Sequence, residues 1–186
     1  MLLKKGYAVV GIDINRPRLR RTSRLTDVSM SDCRALPFKE LSFDLVCMLQ
    51  ILHHVERPKV VLDEISRVLK DGGWLYITEV VEDNPLFRFL RNAHPSWEGD
   101  PVKTRLRREE LKQMLASRFS MFREDMSNGN FHWLWWVLGT RIIDPHKLDT
   151  CFVTRFIRFM EKQVDKALKS RFSCTYQAIL TRVPAF

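Results

Sequence analysis

Residues 43–81 read FDLVCMLQILHHVERPKVVLDEISRVLKDGGWLYITEVV. Their apolar side chains are first nearly continuous and are then spaced as in a helix. Residues 43–49 are continuously apolar after Asp44, which predicts a buried β-strand. Residues 57–70 carry apolar side chains at helical spacing, with charges between them, and predict a helix. Asp71-Gly72-Gly73 is predicted to stop that helix, because glycine tolerates the left-handed geometry of a helix end. With a strand over residues 74–81, the alternation predicts a parallel sheet with right-handed crossovers.

The segments on either side extend this α/β pattern. Residues 8–12 form a short β-branched run that ends on Asp13, which suits a buried parallel strand, and residues 28–30 form a minimal edge strand that leads to Asp32. Residues 107–119 are predicted to be helical, and residues 121–126 to form a strand. Alternating residues 174–183 predict a final antiparallel strand, preceded by an insertion over residues 128–172.

Composition limits the class of protein. The chain has 186 residues, of which 45% are hydrophobic, so it is long enough for one domain with a real core. It has no apolar stretch that could span a bilayer, and residues 1–6 lack the pattern of a secretory signal. Its four cysteines form no CxxC pair, so we expect reduced thiols, no metal site and a cytoplasmic location.

In order and spacing, the chain resembles the second half of the cofactor domain of class I S-adenosylmethionine-dependent methyltransferases, in particular the small-molecule type. The resemblance is carried by Val9-Val10-Gly11-Ile12-Asp13, Ser31-Asp32-Cys33-Arg34-Ala35-Leu36-Pro37-Phe38, Ser42-Phe43-Asp44-Leu45-Val46, Leu52-His53-His54-Val55 and the stretch from Glu64 to Glu79. It implies a Rossmann-like, mostly parallel sheet flanked by helices, with a helical insertion before the last strand. It also implies a helix in the arginine-rich residues 16–24.

A glycine-rich turn after a first strand is expected in this family, and no GxGxG-like turn occurs in these 186 residues. We therefore expect an N-terminally incomplete domain in which two sheet edges stay unpaired. The single domain would comprise a partial cofactor-binding half (residues 1–83), a substrate-side region (84–127), a helical lid (128–172) and a final strand (173–186). The chain could be a fragment, a degenerate relative, or one completed by a second polypeptide.

The resemblance assigns cofactor-binding roles by position. Asp13, with Ile14 beside it, would accept hydrogen bonds from the ribose hydroxyls of S-adenosylmethionine, and Asp32 would accept one from the adenine amino group. The backbone N–H of Cys33 would meet the adenine ring. Leu49 and Gln50 follow the strand over residues 43–49, where ligands of such sheets lie. The alternatives are a turn-forming or capping role for Asp13 and a solvated loop acid for Asp32.

The predicted substrate-side residues are His53, Glu79, His132 and Trp133. His53 could act as a general base, since imidazole titrates near neutral pH, or it could begin the next helix. Glu79 ends a strand and could orient an acceptor or cap a loop. No obligatory catalytic residue is expected, because the sulfonium already activates the methyl group and the protein mainly positions the reactants.

The insertion and the basic residues are the features from which binding partners can be predicted. Apolar residues between Leu148 and Leu168 recur at helical spacing, opposite a basic face that begins at Arg155. This amphipathic helix could pack on the domain, cover a hydrophobic acceptor pocket or contact a membrane surface. The net charge of +9 and the basic runs at residues 16–24 and 103–112 allow nucleic-acid binding, but without an RNA-binding motif a solvated surface is favoured.

The sequence therefore predicts S-adenosylmethionine-dependent methyl transfer to a small acceptor, which could be hydrophobic. We expect the missing glycine-rich turn to impair this activity, with weak or lost cofactor binding by these residues alone. The alternatives are a non-catalytic methyltransferase-like binding protein and, less favoured, an RNA methyltransferase.

Overall fold

The computed structural model describes residues 2–85, 88–89, 105–127 and 174–184, with positions 152, 154–156, 159–160 and 163. Six strands are present in this part of the chain: β1 Val10–Asp13, β2 Asp27–Met30, β3 Phe43–Leu49, β4 Leu69–Val80, β5 Phe119–Ser127 and β6 Thr175–Arg182. The helices are α1 Arg16–Thr22, α2 Pro58–Val68 and α3 Arg108–Ala116, with short 3₁₀ turns at Leu3–Lys5 and Leu52–His54.

The described strands form two sheets. Strands β1 and β2 pair in parallel, and the other four strands lie in the order β3-β4-β6-β5. Strands β3 and β4 pair in parallel, β6 runs antiparallel to both β4 and β5, and β5 therefore runs in the same direction as β3 and β4. The predicted α/β class, with a mostly parallel sheet and a last antiparallel strand, is confirmed, because among the described strands of the larger sheet only β6, between β4 and β5, runs in the opposite direction.

The two sheets are separate in the part of the chain that the structure describes. Within the described residues, β1 pairs only with β2, and β3 pairs only with β4. One face of β3 is also open, because Leu45 and Leu49 are 40% and 57% exposed. On the neighbouring strand, Trp74 is 39% exposed.

The glycine pair after α2 has a different role from the predicted one. Helix α2 ends at Val68, two residues before the expected end, and β4 begins at once. The register with β3 shifts between Phe43 and Leu45, where β4 accommodates extra residues. Gly72 lies in this excursion with φ 70°, so its left-handed geometry serves an irregularity within the strand and not the helix end.

The core lies between the larger sheet and helices α2 and α3. Sheet side chains such as Met48, Leu75 and Ile77 pack with Leu62 of α2 and Leu111 of α3, all of them buried. This packing fixes the carboxyl ends of β3 and β4 against the helices. In the part of the chain that the structure describes, no helix is long and apolar enough to cross a membrane.

Candidate functional site

Asp13 ends β1 and shapes the turn that follows it. Its Oδ1 accepts the N–H of Asn15 at 2.8 Å, and its Oδ2 lies 3.9 Å from the guanidinium of Arg18. Asn15, not Asp13, caps α1 by accepting the N–H of Arg18 at 3.1 Å. Oδ1 of Asp13 thus forms the turn, which was the alternative to a cofactor-binding role. Oδ2 accepts no hydrogen bond from a described residue.

Asp32 lies two residues beyond β2, at the same sheet edge as Asp13. The Asp32 carboxylate accepts hydrogen bonds from the side chain of Arg34 at 2.6 and 3.0 Å and from its N–H at 2.8 Å. These hydrogen bonds hold the pKa of Asp32 below its usual value. A ligand amino group would therefore share this carboxylate with Arg34.

Cys33 and the loop after β2 are attached to the larger sheet by α2. Cys33 packs against the core, and burial raises the pKa of its thiol. The Glu64 carboxylate accepts the N–H of Leu36 at 2.9 Å, and Arg67 donates to the carbonyl oxygens of Leu36 and Phe38 at 3.0 and 2.8 Å. This clamp, formed by Glu64 and Arg67 on the loop over residues 36–38, was not predicted from the sequence, where its only local signal is the i, i+3 spacing of the pair.

Leu49 and Gln50 lie at the carboxyl end of β3, as predicted. Leu49 is 57% exposed, and Gln50 is exposed with φ 56°. The Gln50 N–H donates to the carbonyl oxygen of Thr78 at 2.8 Å, which extends the β3–β4 ladder by one bond. A left-handed residue other than glycine costs on the order of 1 kcal/mol and is often found at functional sites.

His53 and Glu79 are brought into direct contact at the carboxyl ends of β3 and β4. The Nδ1 atom of His53 hydrogen-bonds Oε1 of Glu79, whose two oxygens also accept the N–H groups of Val80 at 2.9 Å and Leu52 at 2.7 Å. The Glu79 side chain is fully buried, and that of His53 is 11% exposed. Burying a carboxylate costs several kcal/mol, which these three donors offset.

The remaining predicted residues divide between described and undescribed positions. Ile14 is 74% exposed beside Asp13, whereas His132 and Trp133 lie outside the described residues. The described positions of the predicted amphipathic helix are helical, but their phenylalanines are exposed: Phe152 by 80%, Phe156 by 52% and Phe159 by 60%. Of the three alternatives for this helix, packing of the aromatic face on the domain is the one that these exposures disfavour at the described positions.

The site residues therefore form two groups. Asp13, Ile14, Asp32 and Cys33 lie at or just beyond the carboxyl edge of the small sheet. Leu49, Gln50, His53 and Glu79 lie at the carboxyl ends of β3 and β4. The carboxyl edge of parallel strands is where α/β sheets bind their ligands.

Comparison with known proteins gives these residues a context. Residues 1–77 match the family described as methyltransferase domain. A thiol S-methyltransferase of Rattus norvegicus is 31% identical over 96 residues, which are 50% of this chain and 39% of that protein. A ubiquinone/menaquinone biosynthesis C-methyltransferase of Neisseria meningitidis is 32% identical over 114 residues, 59% of this chain and 45% of that protein. The chain thus spans less than half the length of these curated relatives.

Solved structures share the fold. A SAM-dependent methyltransferase from Methanosarcina mazei aligns with a TM-score of 0.63 at 18% identity, covering 99% of this chain and 86% of that one. The [4+2]-cyclase SpnF aligns with a TM-score of 0.57 at 20% identity, covering 95% of this chain and 66% of that one. Residues 1–77 are thus similar to the methyltransferase domain, and the chain shares the Rossmann-like α/β fold of solved S-adenosylmethionine-dependent methyltransferases.

Proposed function

We propose that this chain transfers the methyl group of S-adenosylmethionine to a small acceptor with an apolar portion. The observation that carries the proposal is the position of Asp13, at the carboxyl end of β1 with Oδ2 accepting no hydrogen bond from a described residue. A carboxylate there suits two neighbouring ribose hydroxyls.

The residues around Asp13 fit the adenosine part of the cofactor. Ile14 and Leu49 offer exposed apolar surface, and Asp32 offers a carboxylate on the loop that α2 holds in place. When bound, S-adenosylmethionine supplies a methyl group that is already activated as a sulfonium. The chain's own residues then have to orient the acceptor and exclude water.

We further propose that these 186 residues alone bind the cofactor weakly. No glycine-rich turn is present to donate backbone N–H groups to its methionine part. With only the adenosine contacts, we expect a dissociation constant on the order of 1 mM, which corresponds to about −4 kcal/mol of binding free energy.

The acceptor class is supported by two observations. The exposed side chains of Leu49 and Ile51 precede the turn that carries His53, so an apolar molecule would find contact area there. One relative is named as a thiol S-methyltransferase, and another, of Dictyostelium discoideum and 40% identical over 38 residues, as a mitochondrial ubiquinone biosynthesis O-methyltransferase. A thiol or a phenolic hydroxyl on an apolar ring is accordingly the acceptor we propose.

The test is methyl transfer by the chain at millimolar S-adenosylmethionine, with aryl thiols and phenols as acceptors and the methylated product detected by mass spectrometry. Asp13→Asn should lower the yield at least ~10-fold through weaker cofactor binding. Asp44→Asn is the matched control, since Asp44 is an exposed acid at the opposite end of β3, paired with Lys70. Equal losses in both variants, or no product with the unaltered chain, would contradict the proposal.

We also propose contact with a membrane surface through the helical positions 152, 154–156, 159–160 and 163. Phe152, Phe156, Phe159 and Met160 are exposed, as is Arg155, and aromatic side chains with nearby basic residues favour the interface of anionic bilayers. Vesicles of anionic lipid should co-sediment the chain, and Phe152→Ser/Phe156→Ser should abolish this. Binding that is unchanged in the double variant would contradict the proposal.

A further inference from the structure

The buried pair of His53 and Glu79 has a fixed orientation. Glu79 accepts a backbone N–H on each of its two oxygens, so it acts as an acceptor on both atoms. The third contact, from Nδ1 of His53, therefore requires Nδ1 to be the N–H donor. In the neutral ring the other nitrogen, Nε2, then carries a lone pair.

His53 is the part of this pair that reaches the surface. Its side chain is 11% exposed, whereas that of Glu79 is 0% exposed. No described residue hydrogen-bonds Nε2. Among the described residues, the titratable groups in contact with the ring are Glu79, on β4, and His54, whose ring centroid lies 4.0 Å away. The lone pair is thus oriented by a carboxylate behind it, as in a general base.

The pair is located where an acceptor is expected. His53 belongs to the turn Leu52–His54 directly after β3, and Glu79 is the penultimate residue of the parallel neighbour β4. Gln50, in the same connection, has the left-handed conformation that turns the chain away from the strand. Exposed apolar surface on Leu49 and Ile51 adjoins the turn.

We propose that Nε2 of His53 accepts the proton of an acceptor hydroxyl or thiol, and that Glu79 is the positioning residue that holds Nδ1–H. This assignment rests on the proposed function. The O–H or S–H bond breaks and its proton passes to Nε2. The acceptor's electron pair forms the bond to the methyl carbon in place of that carbon's bond to sulfur, and sulfur keeps the displaced pair. The imidazolium then releases its proton to water.

A purely structural role for the pair makes different predictions. In that case Glu79 would only fix the turn over Leu52–His54, and any donor at the Nδ1 position would suffice. His53→Asn places an amide N–H near the position of Nδ1 and removes the lone pair of Nε2. This variant separates the two roles, and Glu79→Gln separately removes the charge behind the ring.

The first experiment needs no cofactor. Long-range ¹H–¹⁵N NMR correlations on the ¹⁵N-labelled chain should show the Nδ1–H tautomer for His53, assigned by its absence in His53→Asn. Phenol should move the Nε2 resonance toward that of a protonated nitrogen, and anisole, which lacks the O–H, should not. An Nε2–H tautomer, or the same response to phenol and anisole, would overturn the assignment.

The second experiment compares acceptors of different acidity at saturating S-adenosylmethionine. His53→Asn should slow methylation of phenol about 10²- to 10³-fold, and that of an aryl thiol already ionised at the assay pH by less than about 3-fold. In the unaltered chain, the phenol rate should rise with pH, and this rise should vanish in the variant. Equal losses for both acceptors would overturn the assignment and favour the structural role.

The two proposals can fail separately. If the unaltered chain methylates neither acceptor, the proposed function fails, and the NMR tautomer and phenol response still decide whether His53 is built as a proton acceptor. Thermal unfolding of His53→Asn and Glu79→Gln controls for folding. If His53→Asn unfolds, the Glu79→Gln chain must show a loss of the single Nδ1–H tautomer, and retention of that tautomer would overturn the role of Glu79.

Discussion

Arg67 donates a hydrogen bond from Nη1 to the carbonyl oxygen of Phe38 at 2.8 Å, and so ties the loop after β2 to the helix after β3. The same guanidinium contacts the carbonyl oxygen of Leu36 and the carboxylate of Glu64. The smaller and larger sheets are thereby connected through one helix. The loop that carries Asp32 and Cys33 depends on this connection for its position.

Arg67→Ala should lower the free energy of unfolding by about 2 kcal/mol, because it removes several charge-assisted hydrogen bonds of a side chain that is 29% exposed. Urea denaturation is the measurement. The control is Arg118→Ala, whose ion pair with Asp63 has both side chains about half exposed and should contribute under ~0.5 kcal/mol. Similar losses in both variants would show that the clamp does not stabilise the fold.

Glu64 should make the free energy of unfolding depend on pH. The hydrogen bond from Arg67 holds the pKa of Glu64 below its ordinary value of 4.5 in the folded protein. As the pH falls, the Glu64 carboxylate of the unfolded chain is therefore protonated at a higher pH than that of the folded protein. The stabilisation is fully present above pH 4.5 and is lost as the pH falls through the folded-state pKa.

Glu64→Gln tests this dependence. The variant should be about 1–2 kcal/mol less stable than the unaltered chain at neutral pH, and the difference should shrink as the pH falls toward about 3. Urea unfolding of both proteins across this range gives the comparison. A difference that does not change with pH would contradict the assigned role of the carboxylate.

Gln50 and Leu41 offer a matched test of backbone strain, with φ angles of 56° and 54°. Replacing either by glycine should raise the free energy of unfolding by about 0.5–1 kcal/mol, because glycine enters the left-handed region without a Cβ clash. Gln50→Val should lower it, since β-branched residues fit this region poorly. Only the changes at Gln50 are expected to alter methyl transfer. Equal stability of the glycine and valine variants would refute the assigned strain.

Local patterns were sufficient to predict most of the described elements. The apolar run at Phe43–Leu49 and the helical spacing in Pro58–Val68 each identified an element of the correct type. The end of that helix was misplaced because Gly72 has the same left-handed geometry in a strand irregularity as at a helix end. Which role a glycine takes depends on the neighbouring strand, which local sequence does not reveal.

The positions of the candidate site residues in the fold could be predicted from the sequence, whereas their contacts with distant residues could not. The carboxyl ends of strands located Asp13, Asp32, His53 and Glu79 separately. The direct bond between His53 and Glu79 joins residues 26 positions apart, and the clamp from Arg67 to Leu36 joins residues 31 apart. Such contacts result from the packing of α2 and β4 and have no signature in spacing. The exposure of Phe152 likewise depends on what the helix faces, which its periodicity does not specify.

The residues around Asp13 are proposed to form the adenosine part of a cofactor site, so the methionine part of the ligand should add little affinity. The decisive measurement is an NMR titration of the chain with S-adenosylmethionine and with 5′-methylthioadenosine, repeated with Asp13→Asn and the Asp44→Asn control. Both ligands should bind with dissociation constants on the order of 1 mM that agree within about 3-fold, and only Asp13→Asn should weaken both by at least ~10-fold. Micromolar binding of S-adenosylmethionine, or titrations that Asp13→Asn leaves unchanged, would contradict the claim.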